Sequence, residues 1–222
     1  MTIIIYGAAA SSFVRTTRMA AHEKGLDYKL GQVGDGTVGA LGSQQHRKLH
    51  PFGKIPVFTD GKATIWESLA ICRYIDEAYE GKALQPDDVL ERARMEQWIS
   101  AALDYVIPQA IRNYAQQYIF PAGPNGQPDM ETINAAKPKI REAMLIMDEQ
   151  LDGRTWLAGD DVSIADLLYA PALSYVGQMP DGMDAFEGCT NLYRWWEAVT
   201  SRDSYTASAP DGVPGVATQA AE

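Results

Sequence analysis

Residues 50–68 (HPFGKIPVFTDGKATIWES) combine a strand led by proline, a turn and the start of a helix. Pro56 cannot donate a hydrogen bond to a neighbouring strand, so we expect an edge strand that leaves one backbone edge open. A cis Ile55-Pro56 bond would turn the chain sharply and present the amide and carbonyl of Ile55 to a ligand. Glu67 and Ser68 open the helix, and a helix N-terminus binds negative charge. An open strand edge beside a helix N-terminus suits a short peptide that carries a carboxylate.

The segment before this stretch is predicted to form a strand, a helix and a second strand. Residues 2–6 are short, β-branched and apolar, as a buried strand should be. Ser11 and Ser12 precede a helical pattern over residues 13–24, and either serine could be its N-cap. Residues 26–33 form the second strand. Strand, crossover helix and strand make a right-handed βαβ unit with a parallel pair.

The first domain is completed by two short strands around the Asp60-Gly61 turn and by a helix over residues 67–79. The order βαβ then ββα, within about eighty residues, indicates an α/β thioredoxin-like domain. Beyond residue 88 we find no convincing strand pattern, so the C-terminal domain is predicted to be all-α. The predicted divisions are a domain over residues 1–80, a linker over 81–88, a helical domain over 89–206 and a flexible tail over 207–222.

Two local patterns stand out in the helical domain. Residues 89–119 form one long helical pattern, in which Pro108 is expected to cause a kink. Ser163 and Asp166 have the spacing of a capping box, in which the side chain of each residue binds the backbone N–H of the other. Aspartate replaces the usual glutamate there, and its shorter side chain should still reach.

Composition and charge narrow the class of protein. The chain has 222 residues, 46% of them hydrophobic, and a net charge of −10, which disfavours nucleic acid as a partner because phosphates would be repelled. No apolar run approaches the roughly 20 residues that span a bilayer. The first residues lack a basic leader, which favours a strand over a signal peptide and a cytoplasmic location. Cys72 and Cys189 match no metal or redox motif, and Cys72 is predicted to be a core residue.

The chain resembles the cytosolic glutathione transferases from about Ile3 to about Ser204. It is similar to their serine-type members, phi- or theta-like or of a related bacterial class. Four pieces in this order carry the resemblance: Tyr6-Gly7 with Ser11 to Arg15 and Arg18; His50 to Pro56; Glu67-Ser68 with Ile71 and Tyr74-Ile75; and Leu157-Ala158-Gly159 with Ser163 to Asp166. Each piece is weak alone, and together they are specific.

The resemblance implies conjugation of the glutathione thiol to an electrophile, with glutathione as co-substrate and no metal. Ser11 stands where the family places the residue that donates a hydrogen bond to the thiolate. Ser12 is the alternative, since a register error of one residue would exchange the two, and it could also contribute its backbone amide. Tyr6 is a less favoured alternative, because it ends a strand and its side chain is expected in the core. No cysteine occupies the Ser11 position, which disfavours thiol exchange.

For the rest of the tripeptide, the resemblance implies that Ile55 pairs its backbone with the cysteinyl portion. Glu67 would face the γ-glutamyl ammonium, and Ser68 would bind the γ-glutamyl carboxylate. Lys54 could reach the glycyl carboxylate. Here the chain departs from the family, because the position where the family usually has a basic residue falls at Leu41-Gly42. The contact with the glycyl carboxylate is therefore assigned either to Lys54 or to one of the basic residues that follow this position, His46, Arg47 or Lys48.

The electrophile site is expected to use the long helix of the second domain together with Phe13. The candidates combine apolar and hydrogen-bonding side chains, and they are Tyr105, Asn113, Tyr114 and Gln117. The alternative interpretation, an aromatic stripe that serves the helix core, applies to each of them. The sequence does not identify the second substrate.

The resemblance also implies a homodimer. Two other functions stay open on the same fold. One is a glutathione-dependent lyase, isomerase or ether-cleaving enzyme that uses the same activated thiol. The other is a non-catalytic ligand-binding protein, which would have little need of a hydrogen-bond donor at Ser11.

Overall fold

The structure is a computed structural model that describes residues 2–33 and 38–211. The chain divides into two compact units. The first comprises the residues up to Gln85 together with Ser201–Pro210, and the second contains Pro86–Thr200. The division after Gln85 falls within the predicted linker.

The first unit contains a four-stranded sheet with the order β2-β1-β3-β4. Strands β1 and β2 are parallel, whereas β1–β3 and β3–β4 are antiparallel, so the predicted βαβ-then-ββα order is confirmed. The strands are β1 (Ile3–Tyr6), β2 (Tyr28–Gly31), β3 (Val57–Thr59) and β4 (Thr64–Trp66).

The expectation that Pro56 begins an edge strand is wrong. Strand β3 lies between β1 and β4, and its first residue, Val57, pairs with Tyr6 on one side and Trp66 on the other. Pro56 immediately precedes this first paired residue, so its missing N–H removes no hydrogen bond from the ladder. The open backbone therefore belongs to Ile55, before the strand starts, and not to an exposed sheet edge.

Two helices, α1 (Ser12–Glu23) and α2 (Ser68–Ala78), pack on this sheet. The core between them is apolar and is formed by side chains that are almost wholly shielded from solvent: Ile5, Val14, Ala21, Phe58, Ile71 and Ile75. The apolar residues of α1 and α2 recur at helical spacing, which places them on one face of each helix. A short 3₁₀ turn, His46–Lys48, precedes the cis-proline segment.

The C-terminal segment, Ser201–Pro210, packs on α1 rather than extending the helical domain. The Glu23 carboxylate accepts two hydrogen bonds from the Arg202 guanidinium, both 2.6 Å long, and a third from the Ser204 hydroxyl. The Arg18 guanidinium donates to the carbonyls of Ala207 and Ser208. Residues 201–210 thus group with the first unit, whereas the prediction placed the residues up to 206 in the helical domain. The Arg202–Glu23 ion pair and the hydrogen bonds from Arg18 hold this segment on α1, and the flexibility expected from residue 207 stays a prediction. Residues 212–222 lie outside the described residues.

The Asp60-Gly61 turn between β3 and β4 is confirmed, and its aspartate is a buried structural anion. Asp60 is 4% exposed and accepts hydrogen bonds from the backbone N–H groups of Lys62 and Ala63. The hydroxyls of Tyr74 and Tyr79, from α2 and its C-terminal end, each donate at 2.8 Å. Burial alone would raise the pKa of this carboxyl, but the four hydrogen bonds outweigh it and hold the pKa well below its usual range.

We expect Asp60→Asn to lower the free energy of unfolding at neutral pH. This loss should become progressively smaller as the pH falls. The folded-state pKa of Asp60 is depressed, so its contribution is fully present above the unfolded pKa of about 3.9 and is lost as the pH falls below it. Urea unfolding at about pH 6 and about pH 3.5 measures the difference. Asp27→Asn is the control, because Asp27 is exposed. A wild type–variant difference that is equal at both pH values would contradict this linkage.

The second unit contains helices and loops but no strand among its described residues, as predicted. Its long N-terminal run comprises α3 (Val89–Ala101), two π-helical segments (Ala102–Val106 and Pro108–Ala115) and α4 (Gln116–Ile119). The irregularity expected at Pro108 takes the form of π-helical turns, which accommodate a residue that cannot donate a backbone hydrogen bond. The remaining helices are α5 (Met130–Gln150), α6 (Ile164–Gln178) and α7 (Thr190–Thr200); α8 (Asp203–Ala207) belongs to the first unit.

The predicted capping box at the start of α6 is confirmed. The Asp166 carboxylate accepts from the Ser163 backbone N–H at 2.8 Å and from the Ser163 hydroxyl at 2.7 Å. It also accepts from the Leu157 N–H and the Trp195 indole N–H, and it is fully buried. None of the described helices is long and apolar enough to cross a membrane.

Candidate active site

Ser11 is the N-cap of α1, so of the two serines it is Ser11 that caps this helix. Its hydroxyl oxygen accepts the Val14 backbone N–H at 3.4 Å, while its own N–H donates to the Ala8 carbonyl at 2.9 Å. A hydroxyl that accepts in this way still has its O–H to donate. Ser12 is the first residue of the helix and is buried, at 8% exposure. A half-buried hydroxyl donor at a helix N-terminus is therefore present at Ser11.

Gly7 allows the loop after β1 to lie close to both α1 and the cis-proline segment. Its φ of +156° is unusual for other residues, and a Cβ on it would lie 2.3 Å from Val14 Cγ2 and 3.3 Å from the Ile55 Cβ. The small residue at this position thus brings the Ser11 loop and Ile55 together.

The predicted cis Ile55-Pro56 bond is confirmed. Ile55 is half-buried, and its backbone amide and carbonyl form no backbone hydrogen bond within residues 2–33 and 38–211. Its amide and carbonyl are therefore available to pair with an extended peptide. Lys54, next to it, is exposed.

Glu67 has a backbone conformation that the sequence does not reveal. Its φ is +70° and its ψ is 117°, in a region that non-glycine residues adopt only at a cost of about 1–3 kcal/mol. Such residues cluster at functional sites. The Glu67 side chain does not cap α2 and is 63% exposed, while Ser68 begins the helix and is 5% exposed. The pair presents an exposed carboxylate beside a helix N-terminus.

The basic residues near the cis-proline segment differ in accessibility. His46 is fully buried, and its Nδ1 accepts the Gly42 N–H at 3.0 Å. The Arg47 guanidinium is engaged by the carbonyls of Gly42 and Pro51, both at 3.0 Å. Lys48 and Lys54 are exposed, and their ammonium groups form no ion pair within the described residues.

Comparison with known proteins identifies the family. Residues 5–83 match the glutathione S-transferase N-terminal domain, and residues 110–203 match the C-terminal domain. The chain is 31% identical to glutathione S-transferase F10 of Arabidopsis thaliana over 212 residues, which are 92% of this chain and 95% of that protein. The chain belongs to the glutathione S-transferase family.

Solved structures agree with this assignment. Poplar glutathione transferase F1 is 28% identical, with a TM-score of 0.83 over 94% of this chain and 96% of that one. A theta-class glutathione S-transferase from Xanthomonas axonopodis pv. citri, with glutathione bound, is 25% identical, with a TM-score of 0.79 over 96% of this chain and 99% of that one. The predicted serine-type, phi- or theta-like resemblance and the two-domain fold are confirmed. The protein is a glutathione transferase, an enzyme that binds glutathione and transfers it to an electrophile.

Two of the residues predicted for the electrophile, Tyr105 and Tyr114, line different cavities of this transferase. Tyr105 is 72% exposed and lines a cavity of about 910 Å³ between the long helical run and α5. Tyr114 is 1% exposed and lines a separate cavity of about 280 Å³, and its hydroxyl donates to the Pro180 carbonyl. Tyr114 is thus buried with its hydroxyl already bonded, as the aromatic-stripe alternative expected, and its role in binding the electrophile stays a prediction.

The other electrophile candidates remain partly accessible. Phe13, in the first turn of α1, is half-buried. Asn113 and Gln117 are also half-buried, and their amides donate to the Gln109 side chain and the Arg112 carbonyl.

Two further side chains of the transferase are structural. The Tyr6 ring packs on Gly31, where an added Cβ would lie 2.5 Å from the ring, as expected of a residue that ends a strand. Cys72 is buried, and burial raises the pKa of its thiol to about 12, so it is not a reactive thiolate. The described residues contain no cluster of three or more side chains that could hold a metal ion.

Proposed function

We propose that Ser11 stabilises the thiolate of glutathione by donating its hydroxyl proton in a hydrogen bond to the sulfur. The observation that carries the proposal is the geometry of the N-cap, where Ser11 accepts the Val14 N–H and keeps its own donor free. The dipole of α1 adds partial positive charge at the same point.

The chemistry requires this stabilisation because the thiolate is the reactive form of glutathione. A free thiol has a pKa of about 8.5, so only a few per cent is ionised at neutral pH. Hydrogen bonds and positive potential lower the pKa by favouring the charged form. Ionisation releases the thiol proton to solvent, and the thiolate then attacks the electrophilic atom of the second substrate to form a carbon–sulfur bond. In a substitution the leaving group departs with its electron pair, as chloride does from chlorodinitrobenzene; in an addition the π bond of the electrophile opens and the resulting anion takes a proton from solvent. Ser11 acts as a donor throughout and is not a nucleophile.

The remaining groups of glutathione are assigned to the elements around Ser11. The backbone of Ile55 pairs with the cysteinyl portion, because its amide and carbonyl lie ahead of the paired strand. Glu67 binds the γ-glutamyl ammonium, supported by its exposed carboxylate and its strained backbone. Ser68, at the N-terminus of α2, binds the γ-glutamyl carboxylate. Ser12 contributes its backbone amide at the start of α1.

Lys54 is proposed to bind the glycyl carboxylate. It adjoins Ile55 and is exposed, whereas His46 is buried and Arg47 is engaged by backbone carbonyls. Lys48 is the alternative cation.

We expect Lys54→Ala to weaken glutathione binding about tenfold, because a charge-assisted hydrogen bond contributes about 1.5–3 kcal/mol before solvent screening. Calorimetric titration with glutathione and with its glycyl ethyl ester, in which the glycyl carboxylate carries no charge, checks the assignment. The variant should bind the ester as the wild type does. Lys48→Ala is the matched control, and a larger loss in that variant would transfer the contact to Lys48.

For the second substrate we propose a hydrophobic electrophilic small molecule. Phe13 is the closest candidate to Ser11 in sequence and has an accessible ring. Asn113 and Gln117 offer amide groups, and Tyr105 offers an exposed aromatic face. We also propose that the enzyme works as a homodimer in the cytoplasm, on the strength of the family.

Conjugation itself is tested by retention on glutathione-agarose and by an assay with chlorodinitrobenzene, using the wild type and Ser11→Ala. Retention and conjugation by the wild type would support the transferase with a broad electrophile range. Retention without conjugation in either protein would favour a narrow substrate or a glutathione-dependent lyase, isomerase or ether-cleaving enzyme. If the wild type were not retained on glutathione-agarose, the proposed glutathione site would be refuted.

A further inference from the structure

Two buried histidines lie in the segment that carries the proposed glutathione contacts, and each has a ring nitrogen without a hydrogen-bond partner in the described part of the chain. These atoms are His46 Nε2 and His50 Nδ1. The residues are 0% and 2% exposed, and their ring centroids are 6.4 Å apart. An unpaired buried polar atom costs about 1–3 kcal/mol, so two of them beside a binding site require an explanation.

The other ring nitrogen of His50 faces the proposed ammonium-binding carboxylate. His50 Nε2 lies 4.0 Å from Glu67 Oε1, and within residues 2–33 and 38–211 no other cation forms an ion pair with Glu67. The ring of His50 is fixed between Trp66 and Phe52, with centroid distances of 5.3 Å and 6.4 Å. A rigid, buried imidazole thus lies next to a carboxylate whose own backbone is held in a strained conformation.

Burial, more than the charges around it, favours the neutral form of His50 by lowering its pKa. Burial is the largest influence and lowers the pKa of His50 below its ordinary value of 6.5. Glu67 opposes this shift, whereas His46 and Lys54 add to it. The imidazole of His50 therefore gains its proton at a lower pH than an ordinary histidine does.

We propose that His50 is a positioning residue for glutathione, acting through Glu67. In its neutral form the imidazole lies beside the Glu67 carboxylate and orients it toward the γ-glutamyl ammonium. When protonated, it pairs with this carboxylate in competition with the ammonium and repels the ammonium directly. The inference rests on the proposed role of Glu67. It predicts that lowering the pH weakens glutathione binding through His50, which does not contact the sulfur.

The test measures affinity for S-methylglutathione by calorimetry between about pH 5 and about pH 7. This probe has no thiol proton, and its carboxyl and amino groups do not change charge across that range. We expect the dissociation constant of the wild type to rise about tenfold as the pH falls, a coupling within the usual range between linked sites.

Three variants separate positioning from structural support. His50→Gln removes the group that gains a proton but keeps a neutral donor near the position of Nε2, so the affinity of this variant should show no pH dependence. Glu67→Gln alters an exposed side chain and should also abolish the pH dependence, with weaker binding throughout; it serves if His50→Gln does not fold. His46→Asn is the matched control, since asparagine can still accept the Gly42 N–H, and it should retain the pH dependence.

The outcomes distinguish this inference from the proposed function. A wild type that binds S-methylglutathione with no pH dependence would overturn the role of His50 and leave the glutathione site intact. The same pH dependence in His50→Gln as in the wild type would also overturn it. A wild type that does not bind the probe at neutral pH would instead refute the proposed glutathione site.

Discussion

Ser11→Ala is expected to lower kcat/KM for conjugation by about 100-fold or more at neutral pH, the usual effect of removing one donor to a reacting anion. A hydrogen bond to a charged group contributes about 1.5–3 kcal/mol, so its loss should raise the pKa of the bound thiol by about 1–2 units. The deficit should shrink as the pH rises, because the thiol then ionises without help. The pH profile of kcat/KM and the ultraviolet absorbance of the bound thiolate measure both effects.

The same substitution removes the N-cap of α1, so a control must separate capping from donation. Ser11→Asp provides it: aspartate caps a helix as well as serine does, but its carboxylate cannot donate to a thiolate and would repel it. We expect Ser11→Asp to fold as stably as the wild type and to be at least as inactive as Ser11→Ala. Ser12→Ala should retain most activity. An active Ser11→Asp would mean that Ser11 serves only as a cap, and an inactive Ser12→Ala would favour the neighbouring serine.

The features that the sequence predicted well depend on local patterns. The turn at Asp60-Gly61 and the capping box from Ser163 to Asp166 are each specified within a few residues, by turn chemistry and by side chains that reach adjacent backbone groups. The cis bond at Pro56 and the N-cap of α1 were placed with the additional help of the family resemblance. The pattern left Ser11 and Ser12 equivalent as caps, and the backbone geometry separated them.

The features that the sequence did not predict depend on contacts between distant residues. The Glu23–Arg202 ion pair fixes the C-terminal segment on α1, and no periodicity or composition links two residues so far apart in the chain. The same holds for His50 and Glu67, which lie close together because the β3–β4 hairpin between them reverses the chain. The positive φ of Glu67 also had no signal, because glycine and asparagine are the residues that normally indicate it.

Asp166→Ala is expected to cause the largest loss of stability among the changes considered, about 3–5 kcal/mol. Its carboxylate accepts four hydrogen bonds, from the Leu157 N–H at 3.0 Å, the Trp195 indole at 2.8 Å, and the N–H and hydroxyl of Ser163. All four groups are buried, so alanine leaves donors unpaired where water cannot replace the carboxylate, at about 1–3 kcal/mol each. The melting temperature should fall by about 10 °C, since 1 kcal/mol corresponds to roughly 2–4 °C in a protein of this size.

Asp129→Ala is the matched control for this prediction. Asp129 caps α5 and accepts a comparable set of hydrogen bonds, two from backbone N–H groups and one from the Thr132 hydroxyl. Its position is partly open to solvent, so water can satisfy the groups that alanine would release, and its loss of stability should be several-fold smaller. Asp166→Asn should fall between the two, because its amide oxygen can still accept while its NH₂ faces donors. If Asp129→Ala and Asp166→Ala lowered the melting temperature equally, the loss of stability would come from the lost helix cap, whether or not that cap is buried. A much larger loss for Asp166 alone would show that burial of the capping box, rather than its hydrogen-bond count, makes it the anchor of the helical unit.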